Sequence, residues 1–196
     1  CHSDMIRKYY PALFERIKEK VAQGRYEPNG AVWVECDCNI TSGESMVRQF
    51  LWGQRFTQKH FGYKSDCFWL PDTFGYSAAI PQIMKGCGVD YFLTTKISWN
   101  DTNTFPYDTF YWQGLDGTQV FSHFNMTHTW PDPKQLKEAF VCNRNNTHQN
   151  GVTNKRLSAY GMGDGGGGPQ FEMIEMARRC ENLYDVPKAK HTTVSD

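Results

Sequence analysis

The spacing of apolar positions changes along the chain, and each change marks an element. At 11–23, Leu13, Ile17 and Val21 recur on one helical stripe, with Pro11 in the first turn and Gly24 just past the end. That pattern predicts an amphipathic helix. Residues 31–35, AVWVE, are a compact apolar run and predict a buried strand. Thr41 and Glu44 have capping-box spacing ahead of a helix that reaches about residue 60. A strand at 67–70, a helix at 77–86 and a strand at 90–94 follow, the recurrence expected of parallel crossover units. The fold class is therefore α/β. Beyond residue 105 the pattern becomes that of a β-hairpin, with 110–112 and 119–124 flanking Leu115, Asp116, Gly117 and Thr118. Residues 142–154, rich in Asn and without a hydrophobic period, read as an exposed loop. A last helix spans about 169–183, and 188–196 read as an unfinished tail. No internal repeat is present.

Composition adds mainly exclusions. The 196 residues, 39% hydrophobic, suffice for one domain with a real core. Twenty-one basic and 21 acidic residues cancel, so nothing in the charge points to nucleic acid or an anionic membrane. No apolar run approaches the roughly 20 residues of a membrane span, and no signal-peptide pattern opens the chain. Seven cysteines without CxxC spacing argue against a disulfide framework and a thiolate zinc site, so Cys36 and Cys38 read as free thiols. Asn39, Asn100, Asn125 and Asn145 begin sequons, although a glycan on Asn39 would obstruct a strand end.

Candidate chemistry concentrates in 69–82, WLPDTFGYSAAIPQ. Pro71 keeps Leu70 extended and donates no ladder bond, so the strand ends there and Asp72 is lifted into the loop at its carboxyl tip. Active sites of parallel α/β folds occupy that edge. An Asp in such a loop can equally cap the next helix or brace the turn. A second carboxylate, Asp164, precedes four glycines and Pro169, where a solvated turn competes with a functional role; without a following Lys-Ser/Thr the glycines do not make a nucleotide site. Phe74, Tyr76, Trp99 and Trp112 could stack on a sugar ring or fill the core. Glu35 and Asp37 could line a sugar site, while Glu44 is accounted for by the capping box. The remaining histidines show no metal-ligand spacing among themselves. The letters His2-Ser3-Asp4 do not make a metal motif, because no strand precedes them.

Four blocks, WVECDCNITSGESMVRQFLWG (33–53), WLPDTFGYSAAIPQIMKGCGVDYFLTTKISWN (69–100), FPYDTFYWQGLDG (105–117) and GDGGGGP (163–169), resemble the catalytic domain of glycoside hydrolase family 38 α-mannosidases. The wording is closest to the branch with cytosolic and bacterial members, which implies a cytoplasmic location. The resemblance implies an incomplete β/α barrel of parallel strands with outer helices, and a chain, 1–196, that is part of the N-terminal catalytic domain without its first strand or the downstream helical and β domains. It implies retaining hydrolysis of terminal α-D-mannosidic bonds in oligosaccharides, with the fragment alone inactive. By motif match Asp72 is the nucleophile and a ligand of zinc, or of another divalent metal such as cobalt, whose remaining ligands lie outside this chain. Asp164 is then the acid/base, and Phe74, Tyr76 and Trp99 bind the sugar. A mannose-containing oligosaccharide is the expected partner, with neither nucleic acid nor membrane, and the full-length enzyme is expected to be a homo-oligomer. Two other classes stay open: a metal-dependent polysaccharide deacetylase, which would need a His-x3-His pair, and a non-catalytic sugar-binding remnant.

Overall fold

A computed structural model describes residues 1–103, 105–125, 130–141, 155–163 and 167–196. Packing divides the chain into two compact units, Cys1–Leu93 with Tyr111–Ser122 and Thr193–Asp196, and Thr94–Phe110 with His123–Thr192.

The first unit opens with helices α1 (His2–Tyr9) and α2 (Pro11–Ala22). Pro11 disfavours the helical conformation at the residue before it, and Tyr10, at φ −136° and ψ 59°, separates α1 from the helix that Pro11 opens. On α2 the buried position is Phe14, with Ile17 and Val21 partly covered, while Leu13 is 42% exposed. The inner stripe thus keeps the expected Ile17 and Val21, with Phe14 in the place expected of Leu13. The Phe14 ring meets Phe56, His60 and Phe61 of helix α3 (Gly43–Phe61).

Two expectations fail around the start of α3. No strand forms at 31–35. The Trp33 amide donates instead to the Gln49 carbonyl at 3.0 Å and the Val34 amide to the Gln49 side chain at 3.1 Å, so this apolar run is bonded to a helix. Nor do Thr41 and Glu44 form a capping box. Ser42 is the N-cap, its side chain accepting from the Ser45 amide, and Glu44 pairs with Arg48 at 2.7 Å one turn along. Helix α3 buries Met46, Phe50 and Gly53, spaced i, i+4, i+7, and Phe50 packs on Phe68 at 5.0 Å.

Phe68 belongs to strand β1 (Cys67–Trp69), which leads through helix α4 (Ile80–Gly86) to strand β2 (Tyr91–Thr94). The two strands pair in parallel, Cys67 opposite Tyr91 and Trp69 opposite Leu93, as a crossover unit requires. Strands β3 (Thr109–Gln113) and β4 (Gln119–Phe124) make the expected hairpin. Asp116 accepts from the Thr118 amide and hydroxyl at its tip, and Gly117 supplies the positive φ of 86°. The sheet order is β1-β2-β4-β3. The Phe121 amide bonds to the Asp90 carbonyl and the Asn125 amide to the Thr94 carbonyl, so β4 runs parallel to β2. The α/β architecture is the expected one, three parallel strands, with α4 joining the first two, and one antiparallel strand at the edge. Phe50, Phe68, Leu70, Ile80, Met84, Val89 and Val120 form its fully buried core. Residues 193–196 return to this unit: the Val194 amide donates to Glu27 at 2.8 Å and the Ser195 hydroxyl to Asp66 at 3.1 Å.

In the second unit the rings of Phe105, Phe110 and Phe124 cluster within 5.2 Å of one another. Arg156 pairs with Asp108, both largely buried, and the His123 ring bonds to the Thr109 hydroxyl at 2.9 Å. Helices α5 (Pro133–Val141) and α6 (Phe171–Arg179) complete it, α6 burying Met173 and Ala177. The expected loop at 142–154 lies outside the described residues. No helix among the described residues is long and apolar enough to cross a membrane.

Candidate active site

Leu70 makes the last rung of the β1–β2 ladder, its amide donating to the Leu93 carbonyl at 3.0 Å. Pro71 has no N–H to continue it. The chain turns there, and Asp72 stands exposed in the β1–α4 loop, at the carboxyl edge of the sheet. Asp72 is not the N-cap of that helix: α4 begins at Ile80, its N-cap is Ala79, and the Ala79 amide donates to the Ser77 hydroxyl at 3.3 Å.

Three hydrogen bonds fix the loop. The Tyr76 hydroxyl donates to the Leu70 carbonyl at 2.7 Å, tying the loop back to the strand that it leaves. The Thr73 hydroxyl donates to the Cys36 carbonyl at 3.4 Å, and the Ser77 amide to the Cys38 carbonyl at 3.0 Å. Between them Gly75 has φ +145°, and a Cβ there would lie 2.2 Å from Asn39 Nδ2. The positive φ favours glycine, and any Cβ would also have to displace the Asn39 side chain. That segment is itself an Asx turn, in which Asp37 accepts from the amides of Ile40 and Asn39 at 2.8 and 2.9 Å. Those two bonds hold the Asp37 carboxyl below the usual carboxylate range. Composition and period do not reveal the parts played by Thr73, Ser77 and Asn39, because their partners are 36 to 39 residues away in sequence; Gly75 is the one visible signal.

The aromatic candidates divide. Phe74, 70% exposed, presents its ring to solvent beside Asp72. Tyr76 turns its ring inward, edge-on to Phe92 at 4.8 Å and to Trp112 at 6.3 Å, so its ring serves the core and its hydroxyl serves the loop. Trp99, in the other unit, is 66% exposed and carries the Lys96 ammonium 3.6 Å above its ring. Asp164, with His128, His148 and Asn145, lies outside the described residues. Asn125 is only 4% exposed at the end of β4, which closes that sequon to a glycan in the folded chain.

His2 and Asp4 fall in the first turn of α1, where Asp4 accepts from Lys8 at 2.9 Å and Arg7 at 2.8 Å. These two cations hold its carboxyl low, as a surface pair does. Among the described residues no three His, Cys, Asp or Glu side chains converge on a point where a metal ion could sit. Asp72 offers one ligand, and the described residues therefore do not fit a complete zinc site. The described cysteines are all free thiols.

Residues 3–196 match the family model described as Glycosyl hydrolases family 38 N-terminal domain. Alpha-mannosidase G of Dictyostelium discoideum is 46% identical over 187 residues, and human alpha-mannosidase 2C1 is 44% identical over 187. Both alignments cover 95% of this chain but only 17% and 18% of those proteins, so the chain spans under a fifth of the length of these relatives. A solved alpha-mannosidase from Enterococcus faecalis superposes on 62% of the chain with a TM-score of 0.53 and 26% identity, over 14% of its own length. A second Enterococcus faecalis protein, of glycosyl hydrolase family 38, covers 98% of the chain and 20% of its own length at a TM-score of 0.61; at 19% identity it supports the fold alone. On the strength of the family match over almost every residue, this chain belongs to glycosyl hydrolase family 38, within the N-terminal domain of that family.

Proposed function

We propose that this chain contributes the nucleophile-bearing part of an α-mannosidase that cleaves terminal α-D-mannosidic bonds of oligosaccharides with retention of configuration. The observation that carries the reading is Asp72, exposed at the carboxyl tip of β1 on a loop held at Leu70, Cys36 and Cys38. A nucleophile needs that combination of access and fixed direction, since a carboxylate that must meet an anomeric carbon gains little if its loop drifts.

In the reaction the Asp72 carboxylate attacks the anomeric carbon as a second carboxylic acid, roughly 5 to 5.5 Å away, protonates the departing oxygen. Asp164 is our candidate for that acid. After the aglycone leaves, the same group takes a proton from water, which displaces Asp72 from the glycosyl ester. Phe74 offers an apolar face beside the reacting centre, and Trp99 is a further stacking candidate. Zinc or cobalt is the cofactor implied by the family resemblance, and Asp72 is the ligand this chain would supply.

The test is Asp72→Asn in the longer polypeptide that carries this domain, assayed on a nitrophenyl α-mannoside. Loss of nearly all turnover with an unchanged circular dichroism spectrum is expected, together with a mannosyl adduct mapped to the Asp72 peptide when wild type is trapped with a fluorinated mannosyl fluoride. Retention of more than about a tenth of the activity, a barrier change under about 1.4 kcal/mol, would sink the assignment.

A further inference from the structure

Beneath the Asp72 loop lies a group of sulfurs that the hydrolytic reading does not use. Cys36 and Cys38 are 6% and 2% exposed, and Met46, on the first turn of α3, is 3% exposed. Cys36 Sγ lies 3.8 Å from Met46 Sδ, and the Cys38 thiol turns back toward its neighbour, 3.4 Å from the Cys36 carbonyl. The Cys36 and Cys38 side chains are also in hydrogen-bonding contact with each other.

We propose that Cys36, Cys38 and Met46 form a three-sulfur site for copper(I). Two thiolates and a thioether are the soft donor set that selects this ion over zinc, which favours four ligands. The Cys36–Met46 spacing fits as well: two sulfurs 3.8 Å apart can both lie about 2.3 Å from one ion, the length of a metal–thiolate bond. Binding replaces two S–H bonds by two Cu–S bonds and adds a third bond to the thioether. Both protons go to solvent and, because the ion arrives as copper(I), no electron is transferred. Burial suits the site to a small ion and closes it to bulky thiol reagents.

The experiment titrates the reduced protein, under nitrogen, with copper(I) held by bicinchoninate. Expected are one tightly held copper(I) per chain, an ultraviolet thiolate-to-copper charge-transfer band, and X-ray absorption showing sulfur neighbours only. The Cys36→Ser/Cys38→Ser double variant should lose that equivalent. Met46→Leu, which conserves volume and leaves every thiol in place, should lower the affinity at least about tenfold. If the double variant does not fold, Met46→Leu decides alone. Failure of wild type to take copper from bicinchoninate, an unchanged equivalent in a folded double variant, or an unchanged affinity in Met46→Leu would each overturn the proposal.

Discussion

Gly53→Ala is the most informative single perturbation of the scaffold, because two opposed effects of known size meet there. Gly53 is in the interior of α3, where alanine should improve helix propensity by about 1 kcal/mol. A Cβ at this position, however, would lie 2.5 Å from the Val32 carbonyl carbon, 2.6 Å from the Ala31 oxygen and 2.8 Å from Val32 Cα. All three atoms are backbone, so no side-chain rotation relieves the contact. Restoring ordinary separation requires α3 and 31–33 to part by roughly 1 Å. Overpacking of this kind costs about 1 to 3 kcal/mol. Parting also strains the bonds from the Trp33 and Val34 amides to Gln49, worth about 0.5 to 1.5 kcal/mol each. The balance is a destabilisation of about 1 to 5 kcal/mol, or a fall in melting temperature on the order of 10 °C for a chain of this size. Urea unfolding followed by tryptophan fluorescence reads it directly, since Trp33 packs against Phe56 at this junction. Gly43→Ala, on the same helix with nothing within 4 Å of its Cβ, is the control and should be neutral or slightly stabilising. If Gly53→Ala is as stable as wild type, the close approach of α3 to 31–33 is wrong.

Two further outcomes follow from the structure. Ser42→Ala should cost about 1 kcal/mol of stability in a thermal melt and Thr41→Ala close to nothing, because Ser42 makes the cap bond; the reverse order would restore the capping box. Burial lowers the His123 pKa from 6.5 to about 4, so below pH 6.5 the unfolded chain takes up a proton that the folded chain refuses. Stability from this group is full above pH 6.5 and is lost as the pH falls toward 4, by about 2 kcal/mol at pH 5. His60, also lowered by burial, adds to the fall with the same sign, so the check is that His123→Asn flattens the pH 6.5 to 5 segment of the unfolding curve.

The elements that local chemistry specifies were legible in the sequence. Pro71 marks the end of β1, Asp116 and Gly117 mark the hairpin turn, and together with Gly75 they place Asp72 at a sheet edge before any coordinate is known. The run at 31–35 misled because period and composition report burial, and burial against a helix looks like burial in a sheet. What decides is Gly53 and Gln49 on α3, residues whose partners no local window contains. Helix α5 was missed although its start is written out: Asp132 accepts from the Gln135 amide, and the Gln135 side chain accepts from the Trp130 amide, a cap signalled by Asp-Pro-x-Gln. The mounting of the Asp72 loop on the carbonyls of Cys36 and Cys38 has no such signature, since any residue offers a carbonyl.

The return of residues 193–196 to the first unit bears on how the chain is made. Glu27 accepts from the Tyr63 hydroxyl and from the Val194 amide, the latter 167 residues away. At about 5 to 20 residues per second, roughly 8 to 35 s separate synthesis of the two partners on the ribosome. During that interval Glu27 and Asp66 have their nearby partners but not their late ones, and β1 and β2 wait for the hairpin that completes the sheet. The unit that carries Asp72 is therefore begun first and closed last, and its nascent form exposes sheet edge to chaperones or to other chains.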